Sequence, residues 1–184
     1  MDILLSIFFI LCFSPIFVGV ALLIGVGGFP IIFRQRRNGL NGTTFWMYKF
    51  RTMKVIEDGD KEFKQAAFID ERYTYIGRFL RKFSLDELPQ FFNSLLGDMS
   101  IVGPRPHPLA LDRDFTPRIE RYMDRYLVPP GITGLAQVRG YRGETDTLQK
   151  MQDRVNADLE YVERRSTKLY IAILLQTIFG KFIS

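Results

Sequence analysis

From Ile3 to Phe33 the chain carries no charged side chain, and this run constrains the fold more than anything that follows it. At about 20 residues per crossing it is long enough to span a bilayer core. A signal peptide fits poorly, because Met1-Asp2 lacks a basic n-region and no cleavage site is evident. One pair disturbs the plain reading of a spanning helix. Ser14-Pro15 lies near the middle of the run, where proline removes a helical hydrogen bond and kinks the chain. Ser14 can satisfy a carbonyl freed by such a break. Proline does occur in spanning helices, so the residues alone favour a span. Arg34, Arg36 and Arg37 follow directly, and basic flanks mark the cytoplasmic side.

The second signal is SLDELPQFFNSLLGDMSIVGPRP, from Ser84 to Pro106. Pro89 is best tolerated in a first helical turn, which puts Asp86 and Glu87 at a helix start. Either Ser84 caps with Glu87 in a capping box, or Asp86 is itself the N-cap. In both registers the free N–H groups and the helix dipole favour anions nearby. Capping alone is the plain alternative to catalysis. The company of the pair argues for more. Two prolines fix the backbone of Arg105 in Gly103-Pro104-Arg105-Pro106, as suits a residue holding a phosphate or carboxylate. Lys49 and Arg51 add cations at alternate positions, on one face if this stretch is a strand.

The rest of the chain reads as one mixed, mostly helical body. Residues 54–70 are polar and acidic, with Glu57-Asp58-Gly59-Asp60 as a loop. Between Glu71 and Phe83, Ile76, Phe79, Leu80 and Phe83 recur at helical spacing among Arg72, Arg78, Arg81 and Lys82. That basic amphipathic helix either packs on the core or seats at lipid headgroups. Ile119 to Tyr126 is expected to be helical and Ile132 to Val138 a short strand, with Gly131, Gly134, Gly140 and Gly143 serving turns or close approach to a ligand. Thr147 to Arg165 forms an amphipathic helix, and Leu169 to Phe179 is apolar but too short to span. His107 is the single histidine, so no zinc pair or Ser-His-Asp arrangement is available, and Cys12 is the single cysteine, which excludes an intrachain disulfide. Lys and Arg outnumber Asp and Glu by 25 to 20, which favours anionic lipid or anionic substrates. No nucleic-acid module accompanies that charge, since the aromatics lie in apolar runs and not along a basic stripe.

The motifs together resemble the monotopic phosphoglycosyl transferases, bacterial sugar transferases that prime glycan assembly on polyprenyl phosphate. The resemblance rests on FRQRRNGLNGTTFWMYKFRTM (33–53), SLDELPQ (84–90), GDMSIVGPRP (97–106) and PPGITGLAQVRGYRG (129–143). It implies that Asp86 attacks the β-phosphate of a nucleotide diphospho-sugar, expels the nucleoside monophosphate and holds a covalent phosphosugar. It makes Glu87 the partner associated with Mg²⁺. A carboxylate attacking an anionic diphosphate needs Mg²⁺ and cations to neutralise the oxygens, and Lys49, Arg51, Arg81, Arg105, Arg139 and Arg142 are available for that. Gln137, Arg139 and Arg142 fall where the family contacts the nucleotide and its phosphates.

The resemblance also reverses the topology. In the family a Ser-Pro pair at the place of Ser14-Pro15 breaks the helix so that it enters and leaves on one face. The expected fold is therefore an α/β, mostly helical, membrane-associated (monotopic) domain with a few short strands, divided into a re-entrant helix (1–33) and a cytoplasmic catalytic body (34–184). The implied reaction transfers a sugar 1-phosphate to polyprenyl (undecaprenyl) phosphate at the bacterial inner membrane, initiating exopolysaccharide, lipopolysaccharide O-antigen or glycoconjugate assembly. PGITGLAQVRGYRGET looks more like the branch handling UDP-hexoses than acetamido sugars. A homodimer is compatible with this reading, and the chain is either a small-type member or the catalytic part of a longer protein. Two alternatives stand beside it: a non-catalytic basic adaptor docked on membrane lipid, and a transferase without a covalent intermediate.

Overall fold

The computed structural model describes residues 1–54, 71–143 and 145–180. Most of the acidic loop expected after Lys54, with Glu57-Asp58-Gly59-Asp60, lies outside the described residues.

The apolar run folds as one helix, α1 (Asp2–Val26), about 37 Å long at 1.5 Å per residue. Pro15 sits inside it, and Ser14 Oγ donates to Leu11 O at 2.8 Å. Leu11 is four residues before Pro15, so the serine satisfies the carbonyl that the proline leaves without its helical donor. Ser6, Phe9, Phe13, Phe17, Val20 and Ile24 recur every three or four residues and form the inward stripe. Leu4, Phe8, Leu11, Val18 and Leu22 are exposed on the rest of the helix.

After the helix come β1 (Ile32–Asn38) and β2 (Thr44–Phe50), an antiparallel hairpin pairing Arg36 with Trp46 and Phe33 with Lys49. The helix α2 (Tyr75–Lys82) is capped by Thr74, whose hydroxyl accepts from Gly77 N at 2.9 Å. It packs on the core through Leu80, while Tyr75, Phe79 and Phe83 remain exposed. A 3₁₀ turn (Leu85–Glu87) leads into α3 (Gln90–Leu96), which ends at Gly97 with φ 88°. Phe91 on α3 stacks on Phe9 at 5.1 Å between ring centroids, and Phe92 meets Phe17 edge-on at 5.7 Å.

Downstream, β3 (Ser100–Val102) runs parallel to β4 (Gly131–Thr133), with α4 (Leu109–Phe115) and a 3₁₀ stretch (Tyr122–Tyr126) between them. The helix expected over 119–126 is thus a tighter 3₁₀ turn. The strand expected over 132–138 stops at Thr133 and continues as α5 (Leu135–Val138). Glycine is obligatory where these pieces meet: a Cβ on Gly131 would fall 2.1 Å from Gly103 N, and one on Gly134 would fall 2.2 Å from Gly103 O. Those glycines let backbone approach backbone, not ligand.

The chain closes with α6 (Leu148–Arg164), capped by Thr147, and α7 (Thr167–Phe179), capped by Ser166. Tyr170 and Ile173 of α7 are buried, whereas Ile171, Leu175, Ile178 and Phe179 are exposed. Tyr170 OH donates to Asp2 Oδ1 at 2.6 Å, and the same oxygen accepts from Ser100 Oγ and Ile101 N at 2.9 and 2.8 Å. Asp2 thereby fastens the start of α1 to both α7 and β3. The fold is mostly helical with a few short strands, as the sequence leads one to expect.

Candidate active site

Asp86 and Glu87 occupy the 3₁₀ turn ahead of α3 rather than the first turn of the helix itself. Neither capping arrangement forms. Ser84 takes a left-handed conformation, φ 58°, with no side-chain cap, and Pro89 is the N-cap residue of α3. The pair is instead set by a residue that the sequence reading passed over. Asn93, fully buried on α3, accepts from Tyr48 N at 2.9 Å and donates to Trp46 O at 2.7 Å and Asp98 Oδ2 at 3.2 Å. This pins α3 to β2 and holds Glu87 against Lys49.

Glu87 receives Lys49 Nζ at 2.8 Å on Oε1, where Arg105 Nη2 also binds, and Arg105 Nη1 at 3.3 Å on Oε2. Burial alone would raise its pKa, but Arg105 and Lys49 together outweigh that and hold it well below the usual carboxylate range. Glu87 in turn raises the pKa of Arg105. Burial lowers that of Lys49 despite the glutamate.

Asp86 differs. It is 5% exposed and carries no ion pair among the described residues. Burial raises its pKa, Lys49 opposes that, and the charge of Glu87 adds to the rise. The fold keeps this carboxylate desolvated with no direct partner among the described residues.

The cations expected here divide into two groups. Lys49 and Arg105 bind Glu87, Arg81 acts electrostatically on Asp86 from its place over the Tyr73 ring, and Arg142 feels both Arg105 and Glu87. Arg51 turns away: its Nε donates to Pro30 O at 3.0 Å, and its guanidinium lies over Phe33. Strand β2 ends at Phe50, so the alternation that would put Lys49 and Arg51 on one face does not extend to Arg51. Arg139 forms an exposed pair with Glu160 at 2.5 Å. Gln137 donates Nε2 to Ile132 O at 3.0 Å, and its buried Oε1 has no partner among the described residues. One cation was missed. Arg37, from the basic flank after α1, donates to Pro106 O at 3.1 Å and acts on Arg105 and Glu87 through its charge. Its position next to a membrane flank suggested topology and hid this role.

Beneath Arg105 lies a second polar cluster. Asp112 accepts from Asn38 Nδ2, Tyr122 OH and Tyr126 OH at 2.7, 2.8 and 2.8 Å. His107 Nδ1 meets Tyr122 OH at 2.7 Å, and burial, with Arg125 next in weight, keeps the imidazole well below its ordinary pKa and so neutral. His107 is thus a buried, neutral member of this cluster.

As for metal, the described residues contain no group of three His, Cys, Asp or Glu side chains. Two carboxylates, one of them already covered by cations, suit a hard cation held mainly by phosphate oxygens, as Mg²⁺ often is.

The sequence profile described as bacterial sugar transferase matches residues 1–183. Over 184 residues the chain is 49% identical to a UDP-glucose:undecaprenyl-phosphate glucose-1-phosphate transferase of Escherichia coli (strain K12), covering all of this chain and 39% of that protein. It is 39% identical over 181 residues to a UDP-N-acetylgalactosamine-undecaprenyl-phosphate N-acetylgalactosaminephosphotransferase of Aeromonas hydrophila, covering 97% of this chain and 42% of the relative. Against the exopolysaccharide production protein PSS of Rhizobium leguminosarum bv. phaseoli it is 38% identical over 187 residues, covering all of this chain and 92% of the relative. The chain thus spans about two fifths of the length of the first two relatives and nearly all of the third. With the profile matched almost end to end, and the Asp86-Glu87 pair and the Arg105 turn lying within that match, the chain belongs to the bacterial sugar transferase family.

Proposed function

We propose that the protein transfers a sugar 1-phosphate from a nucleotide diphospho-sugar, with UDP-glucose as the leading donor, to undecaprenyl phosphate. The observation that carries the reading is the contrast inside the acidic pair: Glu87 is fixed by Lys49 and Arg105, while Asp86 is buried beside the same cations with no ion pair of its own among the described residues. A desolvated carboxylate next to surplus positive charge is arranged to meet an anionic phosphorus centre.

In the reaction, Asp86 Oδ bonds to the β-phosphorus as the bond from that phosphorus to the bridging oxygen breaks, and UMP departs with the electron pair. Lys49, Arg105 and Arg142 lie where they can neutralise phosphate oxygens. A phosphate oxygen of undecaprenyl phosphate then attacks the same phosphorus, releasing the Asp86 carboxylate and giving the undecaprenyl diphospho-sugar. Asp86 would hold Mg²⁺ together with the donor phosphates, and Glu87 would join only if one of its cation pairs opened. Bound Mg²⁺ supplies charge neutralisation at the diphosphate.

We place the reaction at the cytoplasmic face of the inner membrane, with α1 entering and leaving on that face. What supports this is the attachment of both helix ends to one body: Asp2 to Ser100, Ile101 and Tyr170, and the segment after the helix through Pro30 to Arg51. The bare apolar face of the helix between those attachments is suited to lipid.

The test is a donor panel in the presence of undecaprenyl phosphate, following UMP release and retention of labelled phosphosugar on the protein. Release with label on Asp86, stopped by EDTA and restored by Mg²⁺, is expected. Release without protein label would replace the covalent route by direct transfer. No release from any donor would return the chain to a docking role.

A further inference from the structure

Arg105 and Arg142 stand on turns outside regular secondary structure, yet a guanidinium can hold a phosphate in one place only if the backbone beneath it is held as well. Both turns are tied to a single face of α6. Arg154 and Asp158 lie one helical turn apart on it, 6% and 1% exposed. Arg154 donates Nε to Tyr141 O at 3.0 Å and Nη2 to Gly143 O at 2.8 Å, bracketing Arg142 from both sides. Asp158 accepts from Arg125 Nη2 at 2.5 Å, and that same nitrogen donates to Arg105 O at 2.7 Å. Arg125 has no exposed surface and lies 5.4 Å from the ring centroids of both Tyr122 and Tyr126. Three residues beyond Asp158, Tyr161 OH donates to Val102 O at 3.0 Å, the residue from which the Arg105 turn departs.

Cohesion alone does not require this chemistry, because apolar groups of similar volume stabilise a core as well as a buried ion pair does. What the charged groups add is aim: their bonds end on specific carbonyl oxygens, and those carbonyls flank or belong to the two site arginines.

We propose that Arg154 and Asp158 are positioning residues that set Arg142 and Arg105, respectively, against the diphosphate of the donor. This rests on the phosphoryl-transfer reading given above. The two arms are separate: Arg154 acts through the 141–143 turn, and Asp158 acts through Arg125 on the carbonyl of Arg105.

Two crossed double-mutant cycles in kcat/KM, with melting temperature followed in parallel, test it. Arg154→Lys keeps the charge but cannot bracket two carbonyls with a planar fork, and Asp158→Asn keeps the size while losing the charge. Each is expected to lower kcat/KM by about 10- to 100-fold, the usual range for groups that orient a working residue. In an Arg142→Ala background the cost of Arg154→Lys should shrink to under about threefold, while in an Arg105→Ala background it should stay whole. Asp158→Asn should show the mirror pattern. Glu163→Gln, on the exposed side of α6, serves as the control. If Asp158→Asn does not fold, Arg125→Met with Asp158→Leu removes both buried charges together and takes its place in the cycle. Equal costs in every background, tracking the melting temperature, would overturn the positioning role while leaving the phosphate reading intact. Wild-type kcat/KM in Arg105→Ala and Arg142→Ala would overturn the phosphate reading and this proposal with it.

Discussion

Two charged clusters lie one above the other in this protein, and they are built on opposite rules. In the upper one, Lys49, Arg81, Arg105 and Arg142 surround two carboxylates, and the more buried of those, Asp86, is left without an ion pair among the described residues. In the lower one, Arg125 is matched by Asp158, Asp112 accepts three hydrogen bonds, and His107 is kept neutral. A cluster whose charges are matched within the protein defines a shape, whereas one with surplus positive charge is suited to an anion from outside. The change of rule falls within a few residues of sequence, since Arg105 belongs to the upper cluster and His107 to the lower.

The largest effect that would sharpen this contrast is expected at Asp86. Asp86→Asn should lower turnover by roughly 10³-fold or more, because the nucleophilic oxygen charge is gone. It should also raise the melting temperature. The folded-state pKa of Asp86 is raised, so its ionised form opposes folding at neutral pH, and a neutral isostere removes that opposition. A large loss of activity accompanied by a lower melting temperature would break the distinction, for Asp86 would then be part of the scaffold.

Glu87→Gln should injure both properties. Two cations lose their partner, which costs about 3 kcal/mol, the low end for breaking a buried pair because the Arg105 side chain is 31% exposed. Activity should fall with it, and unchanged stability by chemical denaturation would show that Lys49 and Arg105 do not depend on the glutamate. Arg105→Ala should lower kcat/KM by about 10²-fold, the loss typical of removing one donor to a developing charge.

For the lower cluster the informative variable is pH. His107 takes a proton near pH 6.5 in the unfolded chain but resists it in the folded one, so the unfolded state binds more protons as pH falls. Stability should therefore decline below pH 6.5 with a slope of up to about 1.4 kcal/mol per pH unit. His107 is the single histidine of the chain, so His107→Gln should flatten that limb, and an unchanged slope in denaturant melts would remove it from the account. The smallest effect belongs to Arg139→Ala. Its pairing with Glu160 is exposed, and kcat/KM should stay within about twofold of wild type. A loss matching that of Arg105→Ala would extend the upper cluster to a residue the structure leaves outside.

Local chemistry was legible in the sequence wherever one segment decided it. The uncharged run gave α1, the periodicity between Thr147 and Arg165 gave α6, and the prolines around Arg105 marked a rigid turn that meets Glu87. Pairings across the chain were not legible. Asn93 reads as an ordinary polar helix residue until it is seen bonded to β2, 45 residues earlier. Arg125 and Asp158 read as ordinary charges on two separate helical stretches, because nothing in either neighbourhood reveals that they meet. Arg51 fails in the opposite sense: its motif is right, but strand β2 ends one residue too soon to carry it to Glu87.

The way α1 is fastened bears on how such a protein can be handled. Val20 and Ile24 are part of its core, Phe9 and Phe17 pack on the phenylalanines that follow the acidic turn, and Asp2 closes the far end. Cutting the helix away would take out a wall of the interior, uncovering the buried Phe91 and freeing the donors on Ser100 and Tyr170. Helix α1 and the elements behind it share one hydrophobic core, so the helix is a structural part of this fold and not a detachable appendage.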